Sequence, residues 1–208
     1  MSARHYRYGA LAAGALVLLA GYAQHDTARA APPHSAFNTT LSIHDVMVSV
    51  VDPAADALWD SVGTVVTASG TEEHRPRTDD DWNLLRQHAV RLAESANLLI
   101  IPGRPVVVQG RKLDDANVPG VLNAAEVGKA IQTKRKGFET AAQHLHAAAV
   151  EALAAIDRRD VTALSNAGGT IDRACESCHL VYWYPNARRP PVEPVSASTQ
   201  AASLARKP

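Results

Sequence analysis

The chain has two cysteines, and both fall within the run Cys175-Glu176-Ser177-Cys178-His179. Two thiols three positions apart, followed directly by a histidine, form the C-x-x-C-H pattern of c-type haem attachment. The spacing has a physical basis, because residues three and four apart on a helix share a face. Both thiols can then reach the two vinyl groups of one porphyrin. The His179 imidazole, one turn beyond Cys175, can rise beneath the iron as proximal ligand. Other uses of a cysteine pair fit less well. A thioredoxin-like redox pair calls for a βαβ context, which the surrounding pattern does not offer. A structural zinc site needs four ligands, and there is no second cysteine pair. A disulfide closed across C-x-x-C on a helix would be strained. The expected cofactor is therefore one covalent haem c, and the expected iron ligand among these residues is His179.

The elements that must position this motif read as helices. Nearly half of the residues are apolar and few are aromatic, and Ala is abundant while β-branched runs are short, which favours packed helices. The first helical stretch is expected from about Thr40 to Thr67, with a kink or break at Asp52-Pro53, where proline removes an amide donor. Asp52 could cap a second piece with Pro53 at its first position. The second helix has Thr78 as N-cap and Asp79, Asp80 and Asp81 in its first turn, where carboxylates suit the positive helix end. Trp82, Leu85, Ala89, Leu92, Ala96 and Leu99 then recur at helical spacing. Ile101 to Asn123 reads as a long loop, of a length that is uncommon unless it does something such as cover a pocket. A third helix is expected from about Ala124 to Asp157 and a fourth from about Asp160 to Tyr182. The fold class expected from this order is all-α, a four-helix bundle with haem attachment on the C-terminal helix.

The two ends read differently. Arg4, His5 and Arg7 precede an apolar stretch, Ala10 to Ala20, and Ala28-Arg29-Ala30 is a small-x-small cleavage site. Residues 1–30 are thus expected to be a secretory signal peptide, too short in its apolar part for a comfortable membrane span. No cysteine follows it to carry a lipid. Residues 31–185 would form the cytochrome domain, and 186–208 a disordered Pro/Ala/Arg tail. The formal charge of the whole chain is zero, and without residues 1–30 it is −2. Nothing in this balance asks for a nucleic-acid partner. Arg188, Arg189, Arg206 and Lys207 read as a solvated tail, with docking of an acidic redox partner as the alternative.

The segment Asp160-Val161-x-x-Leu164-x-x-Ala167-x-Gly169-x-Ile171-x-x-Ala174-Cys175-x-x-Cys178-His179-x-x-Tyr182 resembles the C-terminal helix of the cytochrome c-prime family, which includes high-spin members and methionine-ligated, low-spin relatives. The specific match covers the last helix; the rest agrees in helix order and approximate length. Trp183 stands where family members often carry a basic residue, and the loop 101–123 and the run Tyr182-Trp183-Tyr184-Pro185 are local features. The resemblance implies a haem near one end of a four-helix bundle, with the first helix on the distal side. It also implies that Met47 is the distal iron ligand, and a homodimer through the first two helices. A core methionine filling a gap is the competing reading of Met47, and His44, three residues away, is the rival ligand. His144 and His146 are two apart and point to different faces. His34, His74 and His88 carry no expected role. Trp59, Trp82, Tyr182 and Trp183 are expected to pack in the core or against the porphyrin.

The function these readings imply is that of a periplasmic one-electron carrier, not an enzyme, that passes electrons to a redox partner protein over a small transient interface. No stable membrane insertion is expected after leader cleavage. The alternative is a high-spin cytochrome that binds nitric oxide or carbon monoxide at an open distal site.

Overall fold

A computed structural model describes residues 37–67 and 70–186. The expected leader, His34 and the basic residues of the tail lie outside the described residues. The chain is mostly helical with little strand, as an all-α reading requires. Helix α1 (Ile43–Val46) runs into a wide π-helical turn (Met47–Val51) and then into α2 (Asp52–Asp60). A hairpin follows, β1 (Gly63–Thr67) with β2 (Gly70–His74), then α3 (Asp79–Leu99), α4 (Ala124–Thr133), α5 (Arg135–Asp157) and α6 (Val161–Tyr182).

Three local features refine the expected boundaries. The first helical stretch ends at Asp60 rather than Thr67. Beyond it, Gly63 and the β-branched run Thr64-Val65-Val66-Thr67 prefer strand to helix, and they pair antiparallel with 70–74, Val65 opposite Glu72. All ten paired residues are exposed. The kink or break expected at Asp52-Pro53 takes the form of a widened turn, in which the Asp52 amide reaches back to the Met47 carbonyl. That i→i−5 bond accommodates Pro53, which has no N–H and would crowd the carbonyl four residues before it. The third expected helix is two. Lys134, with φ −117° and ψ 40°, separates α4 from α5. Its carbonyl accepts from both the Phe138 amide (3.0 Å) and the Tyr182 hydroxyl (3.0 Å).

Helix α5 packs against both α3 and α6, and α2 packs against α3 and α6. Leu58, Leu92, Leu164 and Ile171 are fully buried between them, each stabilising the fold by roughly 1.5–3 kcal/mol through burial. The helix starts are well specified. Ser42, Thr78 and Asn123 each form a reciprocal capping box with the acidic residue three positions on. The long loop is tied down along its length. Its Pro105 and Val106 carbonyls accept from the Ile43 and His44 amides (2.8 and 3.0 Å), which satisfies two donors that the first turn of α1 leaves open. Arg104 donates to the Leu98 and Leu41 carbonyls (2.8 and 2.6 Å), and Arg135 to the Ile100 carbonyl. No described helix is long and apolar enough to cross a membrane.

Candidate functional site

The last two turns of α6 present Cys175, Cys178 and His179 to the interior. Asp160 starts this helix by accepting from the Ala163 amide (2.9 Å). At its other end the Trp183 and Tyr184 amides both donate to the His179 carbonyl (2.9 Å each), and Pro185 follows. The motif thus sits on the terminal turns of a long helix whose other face, through Leu164, Ile171 and Ala174, is buried.

Two adjoining cavities, of about 250 and 350 Å³, meet at these residues. Both are lined by Met47, Asp52, Phe138, Cys178 and His179. The first adds Cys175, Trp59, Leu99, Leu145 and Tyr184. The second adds Ile43, His44, Leu113, Asp115, Tyr182 and Trp183. Their walls are largely apolar, and together their size suits a cofactor site, roughly 300–1,000 Å³.

Both thiols are free and half-buried. Burial pushes Cys175 up to about 11, with Asp172 and Asp52 adding to the effect, and it pushes Cys178 up to about 11, with Cys175 adding. A reactive redox C-x-x-C pair does the opposite and lowers the pKa of its attacking thiol. Burial also lowers His179 below the ordinary histidine value, partly offset by Glu176 and Asp115. The ring is therefore neutral near pH 7, the form that binds a metal. Among the described residues, no hydrogen bond reaches the His179 ring nitrogens.

Met47, on the π-helical turn, lines both cavities together with the motif and is half-buried. Asp52, at the end of that turn, is exposed as a whole residue yet lines both cavities; its carboxyl is raised by desolvation and then by Asp56. His44 also reaches the second cavity, but its Nε2 faces the Asp114 carboxylate at 3.3 Å. His146 is turned away, with Nδ1 3.0 Å from the Ala93 carbonyl, and His88 lies beside Arg91. Among the described residues there is no group of three or more His, Cys, Asp or Glu that could hold a metal ion. Trp59 lines one cavity, and Tyr182 and Trp183 the other, whereas Trp82 packs in the core away from both.

The residues that spacing alone put together (Cys175, Cys178, His179) and the one the family resemblance added (Met47) converge on one space. Neither Glu176 nor Asp115 carries a signal in the sequence for a role at the site, and for Tyr184 the only signal is its place in the aromatic run at the end of α6. Tyr184 donates from its hydroxyl to Glu176 at 2.6 Å, and the Trp183 indole N–H donates to Asp115 at 3.2 Å. The arrangement offers two thiols, a neutral imidazole and a thioether around an apolar space, a donor set suited to a flat apolar macrocycle with a central metal. Neither a family model, nor a curated protein, nor a solved structure matches the chain.

Proposed function

We propose that the protein is an exported c-type cytochrome, a one-electron carrier with a single covalent haem. The helical stretches 43–60, 79–99, 124–157 and 161–182 are then read as the four helices of a bundle. Cys175 and Cys178 would hold the haem by thioether links, His179 would be its proximal ligand and Met47 its distal one. The observation that carries this reading is that Met47 and the whole Cys175–His179 motif line one largely apolar cavity. The bound haem supplies an iron that takes up and releases one electron.

The chain's own residues do the rest. Leu99, Phe138 and Leu145 keep the cavity apolar, which excludes water and limits solvent rearrangement when charge changes. A His/Met pair is an electron-transfer ligand set. His179 and Met47, if both held the iron, would leave little to rearrange on reduction. The π-helical turn sets the register of Met47, and such turns recur at functional sites. His44 is less suited to the iron, since its ring already faces Asp114.

The optical spectrum of the haem-loaded protein tests the ligand set. Wild type is expected to be low-spin, with a sulfur-to-iron band when oxidised, and Met47→Ala to lose that band and become high-spin. An unchanged spectrum in Met47→Ala would remove Met47 from the iron. A high-spin, five-coordinate wild type that binds carbon monoxide rapidly would make gas binding the better reading.

A further inference from the structure

A metal-binding histidine is ordinarily aimed by a hydrogen bond from its second ring nitrogen to a carboxylate, carbonyl or water. Among the described residues His179 has no such protein partner. What surrounds its ring instead is aromatic. The Trp183 ring stands edge-on to it, with centroids 4.7 Å apart and planes at 90°. The Tyr184 ring approaches at 5.7 Å and 62°. Edge-to-face contacts of this kind are directional.

Both aromatic residues are themselves pinned. The Trp183 indole N–H donates to Asp115, and the Trp183 carbonyl accepts from the Leu122 amide at 2.8 Å. The Tyr184 hydroxyl donates to Glu176, within the motif and one helical turn before His179. Asp115 and Leu122 belong to the long loop between α3 and α4, and Leu113 of that loop is buried in the core. The loop is therefore anchored, and through Asp115 it reaches the histidine's neighbour.

We propose that Trp183 and Tyr184, held by Asp115 and Glu176, act as positioning residues that fix the plane of the His179 imidazole, and that the loop 101–123 serves this purpose. The inference rests on His179 being an iron ligand. On this view the loop sets the proximal ring from outside the helix that carries it.

The test uses the haem-loaded, oxidised protein and reads the hyperfine-shifted proton resonances of the His179 ring, together with the reduction potential. Asp115→Ala, Trp183→Phe and Tyr184→Phe are each expected to shift those resonances and the potential, with haem content unchanged. Asp115→Asn, which keeps an acceptor for the indole N–H, is expected to restore both. A merely structural loop residue would alter Tm without this pattern of loss and rescue. If haem is covalently bound and the ring resonances stay in place in Asp115→Ala combined with Tyr184→Phe, the positioning role is overturned. If wild type carries no covalent haem, the cytochrome reading fails instead. The same variants then report on the ring through the ¹⁵N shifts of His179, where no change again overturns the clamp.

Discussion

At Gly137 an added Cβ would lie 2.7 Å from the Tyr182 hydroxyl. That hydroxyl cannot yield freely, because it donates to the Lys134 carbonyl and its ring meets Phe138 edge-on at 5.3 Å. Within a helix, Gly→Ala normally gains up to about 1 kcal/mol. Here Gly137→Ala is expected to lose about 1–3 kcal/mol through overpacking, read as a lower denaturation midpoint in urea. In a Tyr182→Phe background the same change should cost clearly less, since the clashing oxygen is gone. Asp81 gives a second residue-scale prediction. Hydrogen bonds from the Arg77 and Thr78 amides, and then from the Thr78 hydroxyl, hold its carboxyl below the ordinary value of 3.8. A depressed folded pKa means stability that is present above the unfolded value and lost as pH falls through the folded one. The gap in Tm between wild type and Asp81→Asn should thus be full at neutral pH and close below about pH 4. Among the candidate-site residues, the grouping of Cys175, Cys178 and His179 around one cavity was legible because their spacing puts them on one face of one helix. Asp115 and Glu176 were not, since only folding brings Trp183 and Tyr184 to their carboxylates.

Elements were legible where caps and period agreed. Thr78 with Asp81, and the apolar series from Trp82 to Leu99, placed α3 correctly, and the gap at Arg158-Arg159 between α5 and α6 was also visible. The hairpin was missed because Val62 continues the apolar spacing of α2, and a short β-branched run gives only a weak strand signal. The division at Lys134 was missed because the apolar period runs on from Val127 to Phe138 across it. It coincides with a tertiary contact that no local pattern encodes, the Tyr182 hydroxyl bound to the Lys134 carbonyl. The hairpin itself contributes little to the core, with Val66 79% exposed. Replacing 63–74 by a short Gly-Ser linker is expected to move Tm by no more than a few degrees, about the effect of 1 kcal/mol or less. A larger fall would mean that the hairpin supports the end of α2.

For the whole molecule, the long loop, the π-helical turn and the end of α6 are distant in sequence yet meet around one apolar space. That convergence gives the C-x-x-C-H motif its setting, since the same five residues on an exposed loop would have no apolar cavity beside them and no methionine lining it. The carrier reading therefore stands or falls with covalent haem. The most direct test is the intact mass of the mature protein after unfolding in acidic organic solvent, following expression with the haem-attachment machinery. The mass expected is that of the polypeptide plus one haem, with Cys175→Ser combined with Cys178→Ser losing the added mass and the colour passing into the solvent. A wild-type chain with the mass of the polypeptide alone, from cells in which another c-type cytochrome is matured, would contradict covalent attachment and the carrier reading with it.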